Sequence, residues 1–311
     1  MGARWRPSEM TDPLVSVVMG VRNGGDTLEA TLDSITSQQG VDLEFVVVND
    51  GSTDDSGALL DRLAARDSRV IVLHRRGSGL TAALIEGCRR ARGEFIARQD
   101  AGDRSLPGRL ERQVTCLRED PAASLCSSAV RNLTPEGAIL AEVRIQPEQL
   151  RDGLTGPAHH GSVMIRRDAY ERAGGYRQQF LYAQDLDLWS RLVEVGGHRV
   201  LNDVLYEATL WPGSISGTRR SEQQRFHALI VEATRARRSG RPESPWLEKA
   251  EALSQHCRSA PRSPGREAHG AYFIGASLAG REPELARRYL QRALELDPWH
   301  LRARLRLAQL R

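Results

Sequence analysis

The chain has 311 residues, 40% of them hydrophobic and 27% charged, with a formal net charge of +4, enough for one large domain with an appendage or for two domains. No stretch approaches the roughly 18 apolar residues that span a bilayer, and the start "MGARWRPSEMTDP" has no apolar run of the secretory kind, so a cytoplasmic chain is expected. Cys88, Cys116, Cys126 and Cys257 share no metal-type or redox-type spacing and read as reduced, buried thiols.

The net charge conceals a split. Residues 219–311 hold 19 Lys/Arg against 10 Asp/Glu, and residues 1–218 hold 25 against 30. Nearly every cation is arginine; Lys249 is the only lysine. A basic tail on a mildly acidic body suggests an anionic partner such as a membrane surface, beside the plainer reading of a solvated helical face. Nucleic acid is not indicated, because the tail lacks interleaved aromatics or a recognisable module.

The first 130 residues alternate regularly. "LVSVVMGV" (14–21) is a β-branched run of strand length. After "RNGG", Asp26 and Glu29 predict a capping box, with Leu28, Leu32 and Ile35 on one helical face. "FVVVND" (45–50) is a second strand, and "GSTDDS" turns into a helix carrying Leu59, Leu60 and Leu63. "VIVL" (70–73) and "LTAALIEGCRRA" give a third strand and helix. "EFIARQD" (94–100) is a fourth strand, followed by a helix from about Pro107 that aligns Leu110, Val114 and Leu117. Strands without a polar face, separated by amphipathic helices, predict an α/β fold with a mostly parallel sheet covered on both faces. Ligands in such sheets bind at the carboxyl ends of the strands. Asp50 ends the second strand and Asp100 the fourth, so both are expected on one rim.

Regularity fades after residue 130. "NLTPEG" reads as a turn between short strands and "PEQLRDGL" as a short helix. "GSVMIRRDAYERAGGY" runs from strand to helix and stops at Gly174-Gly175. "YAQDLDLWSRLVEVGG" places Leu186, Trp189, Leu192 and Val193 on an apolar helical face, with Trp189 in the core. Residues 239–266 are rich in Pro, Ser and Arg around one short helical segment and read as a linker. The final segment has a helix-pair pattern in which Ala286, Leu290, Ala293 and Pro298 match one tetratricopeptide-like repeat. One repeat cannot bury its own face, so it must pack on the body or on a partner.

Taken in order, "VSVVMGVRNGG", "FVVVNDGSTDDS", "GEFIARQDAGDRSLPGRLERQ", "HGSVMIRRDAYERAGGY" and "YAQDLDLWSRL" resemble glycosyltransferase family 2, nucleotide-sugar-dependent enzymes of the GT-A fold. The resemblance covers roughly residues 13–216. It implies a GT-A domain at 13–218, which leaves a tail at 1–12, and with the readings above a helix and linker at 219–266 and a tetratricopeptide-like segment at 267–311. It also implies a nucleotide-diphosphate sugar donor, UDP-linked, and a glycan or lipid-linked acceptor in bacterial surface polysaccharide assembly. A cytoplasmic protein is expected, and the charge split adds a peripheral contact of its basic end with an anionic membrane at the inner face of the plasma membrane or with a protein partner.

The resemblance carries roles to particular positions. Asp50 matches the acid that accepts a hydrogen bond from the base imide, against the plainer reading of an Asx-turn before Gly51. Asn23 stands in the loop near the base. Asp100 and Asp103 match a DxD-type motif that contacts the donor ribose and holds Mg²⁺ or Mn²⁺ on the diphosphate. The usual pattern is Asp-x-Asp-Asp, and here the third place is Gly102, so the ligand is displaced to Asp103 or lost. Asp103 as a plain helix cap is the competing reading. Asp185 matches the general base of inverting members, and Gln184 stands where the pair's first acid would be. Asp187 reads as a helix-start residue. His160, in "HGS", falls on the acceptor side, although adjacent His159 leaves the choice between them open. Trp211 is a candidate to flank the site. A nucleotidyltransferase is discounted because "VRNGGDT" is no phosphate loop. Gly102 and Gln184 keep a second reading open, a non-catalytic scaffold working through its C-terminal helices.

Overall fold

The computed structural model describes residues 14–213, 219–259 and 264–310. The tail at 1–12, the boundary at 218 and residues 260–263 of the expected linker lie outside the described residues. Four parallel strands, β1 (Val15–Val21), β2 (Leu43–Asn49), β3 (Val70–His74) and β4 (Phe95–Arg98), lie in the order β3-β2-β1-β4. Between them run α1 (Leu28–Thr36), α2 (Ser56–Arg66) and α3 (Leu80–Arg90). Alternate residues of β1 explain the apolar strands. Val15, Val17, Met19 and Val21 pack with Leu28, Leu32, Ile35 and Leu60 on one face. Val18 packs with Val46, Leu84 and Ile96 on the other. Both faces are dry, so both pleat positions must be hydrophobic. The edge strand β3 is the exception, with only Val70 buried.

After β4 the sheet becomes mixed. The remaining elements are β5 (Arg104–Ser105), α4 (Arg109–Glu119), β6 (Ala123–Leu133), β7 (Ile139–Val143), β8 (Val163–Arg166), α5 (Arg167–Arg172), α6 (Gln184–Val195) and β9 (Gly197–Thr209). β8 runs antiparallel to β4 and to β6, β9 runs parallel to β6, and β5 and β7 pair with β9 and β6. The whole is a mixed α/β sheet with helices on both faces and an added C-terminal helical region.

Three local expectations change. Asp26 and Glu29 form no capping box, because a 3₁₀ turn at Gly25–Thr27 precedes α1 and no side chain caps it. α4 starts at Arg109 rather than Pro107, since Gly108 takes a left-handed φ of 76° just before it. The expected linker is largely helical. After α7 (Arg220–Arg238), α8 (Ser244–Ser259) buries Ala250, Leu253 and Cys257 against Phe180, Phe226 and Ile230. Its Ser254 hydroxyl accepts from the Leu181 amide and donates to the Gln179 carbonyl. Ser244, Pro245 and Ser259 lie at the ends of this helix and Ser254 within it.

The last helices are α9 (Pro264–Leu278), α10 (Pro283–Leu296) and α11 (Leu301–Gln309). Ala286, Leu290 and Ala293 of α10 face Ala271, Ile274 and Leu278, as their spacing requires. The pair closes on the body through Leu140 of β7, and the Tyr289 hydroxyl donates to Glu136 at 2.8 Å.

Candidate active site

The loop after β1 and the loop after β2 hold each other. Asn23, at φ 55°, accepts from the Thr53 amide through Oδ1 (2.8 Å), and its own amide donates to the Ser52 hydroxyl. Asn23 therefore fixes the "GSTD" turn, as its place in the loop suggested. Asp50, 3% exposed, ends β2. Its carboxylate accepts the amides of Ser78 (2.8 Å) and Gly79 (2.7 Å), from the loop before α3. This is no Asx-turn to Gly51; Asp50 ties two strand-end loops together.

One strand away, the chain leaves β4 through Gln99 into Asp100, Ala101, Gly102 and Asp103. Asp103 is buried and caps no helix. Its Oδ1 accepts the Thr209 amide at 2.9 Å and its Oδ2 accepts the Tyr206 hydroxyl at 3.0 Å. Tyr206 also accepts the Asp100 amide at 3.1 Å, so one phenol from β9 spaces both acids. The His159 Nδ1 lies 3.9 Å from Asp100 and 3.7 Å from Asp103. One ligand atom each from Asp100, Asp103 and His159 falls within 4.8 Å of the others. Burial, and then repulsion from Asp100, push the Asp103 carboxyl up to about 6 despite His159. Burial also works against the Asp100 anion, but Arg98 and the two histidines hold its pKa below the usual value.

Two arginines under this cluster are fully buried. Arg98 donates to Asp100 at 2.6 Å, to His160 at 3.3 Å and to the Val18 carbonyl. Arg109 reaches Ser105 (2.6 Å), the Arg98 carbonyl (2.8 Å), Gln99 and Gln113, and lies 5.0 Å from the Tyr206 ring centre. Burial lowers its pKa to about 10. The signal for Arg98 was a charge inside an apolar strand, "FIAR"; Tyr206, on an irregular late strand, gave none.

Gly102 sits at φ 93° with its amide on the Thr31 hydroxyl. A Cβ there would meet only ordinary contacts, at 3.5 Å to Thr27 and 3.7 Å to the Trp211 indole nitrogen. The backbone, not the space, excludes an aspartate, because that φ is costly for any L side chain. Trp211, 42% exposed, does flank the site beside Gly102.

On the far side, Asp185 lies at the start of α6 after Ala183, whose φ is 57°. It is half-buried, and its Oδ1 accepts the Leu186 amide. It acts electrostatically on His160, which is turned inward: Nε2 accepts from the Tyr176 hydroxyl (2.6 Å) and from Arg98, with Trp189 edge-on at 5.8 Å. Burial and Arg98 drive the His160 imidazole down to about 4. The histidine of the acid cluster is thus His159, and His160 braces Arg98. Gly161, which follows them, is obligatory, since a Cβ would overlap the Tyr206 hydroxyl. Asp187 is more than a helix-start residue: it is buried and paired to Arg191 at 2.5 Å and Arg177 at 3.7 Å.

The donor set suits a divalent cation. Two carboxylates and an imidazole converge, and each carboxylate oxygen that accepts one hydrogen bond keeps a second lone pair.

A mixed sheet with acids gathered at the strand ends defines a protein of the GT-A class. The chain belongs to glycosyltransferase family 2: residues 16–174 match the model described as "Glycosyl transferase family 2". It is 32% identical over 186 residues to the amylovoran biosynthesis glycosyltransferase AmsE of Erwinia amylovora, covering 58% of this chain and 69% of that one. It is 29% identical over 224 residues to the chondroitin synthase of Pasteurella multocida, covering 70% of this chain. The chain spans only 23% of the length of that synthase and of the hyaluronan synthase of Pasteurella multocida. Among solved structures, the mannosyltransferase PcManGT from Pyrobaculum calidifontis, in complex with GDP-Man and Mn²⁺, superposes with a TM-score of 0.57 at 19% identity, over 99% of this chain and 90% of that chain. TarS 1–349 of S. aureus in complex with UDP gives 0.57 at 15% identity, over 95% and 88%. At these identities the likeness is one of fold.

Proposed function

We propose that the protein is an inverting glycosyltransferase that moves a sugar from a UDP-linked donor to a glycan or lipid-linked acceptor in bacterial surface polysaccharide synthesis. The observation that carries this reading is the Asp100–Asp103–His159 cluster after β4, with Asp50 at the end of β2 in the same sheet and Asp185 acting on His160, the neighbour of His159. Asp50 accepts the imide N–H of the base, inside a corner shaped by Asn23. Asp100 and Asp103, with His159, hold Mg²⁺ or Mn²⁺ against the donor diphosphate. Such a cation, when bound, neutralises the phosphates and stabilises the diphosphate as leaving group. Asp185 takes the proton of the acceptor hydroxyl as that oxygen attacks the anomeric carbon from the face opposite the diphosphate. Arg98 and Tyr206 keep the two acids apart and oriented. Residues 13–218 form the catalytic unit, and 219–266 join it to a tetratricopeptide-like pair at 267–311. Relatives named for amylovoran and chondroitin support the substrate class. No described helix is long and apolar enough to cross a membrane, so work at the inner face of the plasma membrane is peripheral.

The test uses UDP binding by calorimetry with and without Mn²⁺, then turnover of a panel of UDP-sugars. Asp185→Asn should bind UDP as wild type does while turnover falls by about 10²–10⁴-fold, the scale of general base catalysis. Equal turnover in variant and wild type would remove Asp185 as the base. A wild type that binds no nucleotide across the panel would return the scaffold reading.

A further inference from the structure

Two groups of arginines in the C-terminal third differ in their partners. On α7, Arg237 pairs with Glu194 (2.8 Å) and Glu243 (2.6 Å), Arg238 with Glu194 (3.0 Å), and Arg235 with Glu232 (2.7 Å). That part of the basic excess is neutralised within the fold. Residues 298–310, "PWHLRARLRLAQL", are different: they carry Arg302, Arg304 and Arg306 and no carboxylate. Among the described residues, none of these three has an acid within ion-pair distance. Arg304 bonds the Pro298 carbonyl and lies 5.6 Å from the Trp299 ring centre, and Arg306 reaches the Gln309 side chain.

The same segment exposes its large apolar side chains. Trp299 is 80% exposed, Leu301 71% and Leu305 66%. Helical spacing explains why they are not core. Ala303, Leu307 and Leu310 share the face that packs on α9 and α10, whereas Leu301, Leu305 and Ala308 share the opposite one. Arg304 flanks this outer stripe on one side, and Arg302 and Arg306 flank it on the other. An outward Trp/Leu stripe between arginines, on a helix whose inner face is already satisfied, is the pattern of an element lying in a lipid interface.

We propose that the outer face of α11, with Trp299, docks the protein on anionic bilayers. Leu301 and Leu305 enter the acyl boundary, Trp299 sits at headgroup depth, and the three guanidiniums meet lipid phosphates. A second copy of the chain is the poorer occupant, because a two-fold contact would set three arginines against three with no acid on the segment. The proposal deepens the functional reading, on which it rests only for its purpose of reaching a lipid-linked acceptor; docking itself requires no transfer chemistry.

The experiment is co-sedimentation of the full chain with vesicles of phosphatidylcholine alone or mixed with phosphatidylglycerol. Binding is expected only with the anionic lipid. Each of Arg302→Gln, Arg304→Gln and Arg306→Gln should weaken it about fivefold, and the three together about 100-fold. A Leu301→Ser, Leu305→Ser double variant, with charge unchanged, should weaken it at least about tenfold. UDP binding and Tm should match wild type in all of these, which separates this surface from the catalytic reading and from misfolding. Binding that ignores the anionic lipid, or survives in the triple variant, would overturn the proposal. So would a concentration-dependent dimer lost in the leucine variant, which would put a second copy on this face.

Discussion

Asp50 and Asp103 are both nearly buried carboxylates, 3% and 5% exposed, at strand ends of one sheet, yet they are held by opposite means. Asp50 rests on two backbone amides, those of Ser78 and Gly79, within a single β-α-β neighbourhood. Asp103 rests on Tyr206 and Thr209, more than a hundred residues along the chain, and shares its space with Asp100 and His159. Beneath it lie two fully buried arginines: Arg98 donates to Asp100, His160 and the Val18 carbonyl, and Arg109 to Ser105, Gln99, Gln113 and the Arg98 carbonyl. One corner is built mainly on backbone amides, with the Ser78 hydroxyl beside them. The other is built from side chains and depends on every one of them.

The sharpest way to break this contrast is Arg109→Met. The substitution strips donors from Ser105, Gln99, Gln113 and the Arg98 carbonyl at once. Buried acceptors left unpaired cost about 1–3 kcal/mol each, offset in part by no longer burying a charge. We expect a net loss of about 3–5 kcal/mol, a Tm fall on the order of 10 °C. An unchanged Tm in scanning calorimetry would mean that the side-chain corner is not the fragile one.

The same contrast explains what could be read from the chain alone. The parallel half was legible because each β-α unit is local and its strands must be apolar on both faces; Val15 to Val21 announce themselves. Asp50 and Asn23 were legible for the same reason. The partners of Asp103 were not. Tyr206 lies on a bulged strand of mixed burial, and bringing it to the acids after β4 needs tertiary contacts that no periodicity encodes. His159 and His160 are neighbours with identical chemistry, and only folding decides that one faces the acids and the other Tyr176. The linker misreading has a plain cause. Pro, Ser and Arg mark helix ends as readily as loops, and the apolar face of α8 (Ala250, Leu253, Cys257) is short and weakly periodic.

A pH series sharpens the comparison further. The Asp103 carboxyl, raised to about 6 from 3.8, contributes stability that is complete below pH 4 and lost as pH rises through about 6. The His160 imidazole, lowered from 6.5 to about 4, contributes the opposite: its stability is complete above pH 6.5 and lost as pH falls through about 4. In metal-free buffer the two nearly cancel between these limits. Asp103→Asn removes the first contribution. The variant should match wild type near pH 4 and exceed it by about 3 kcal/mol at pH 7. Mn²⁺ at pH 7 should raise the Tm of wild type and leave the variant unmoved. A variant less stable than wild type at pH 7 in metal-free buffer would show that Asp103 holds the fold rather than a cation.

The smallest effect belongs to the backbone corner. Asp50→Asn keeps one acceptor oxygen for the Ser78 and Gly79 amides but replaces the other with a donor. Packing and strand ends are untouched, so stability should fall by about 1–3 kcal/mol, the cost of one buried amide left without its acceptor. The base site changes as well. An amide oxygen accepts an imide N–H less strongly than a carboxylate, and donor affinity should drop about tenfold, about 1.4 kcal/mol. Calorimetry with UDP measures that directly, and uridine alone should show the same ratio, because the contact is to the base and not to the phosphates. A loss seen with UDP but absent with uridine would move Asp50 from the base to the diphosphate end. The two corners would then belong to one electrostatic site and not to two separable ones.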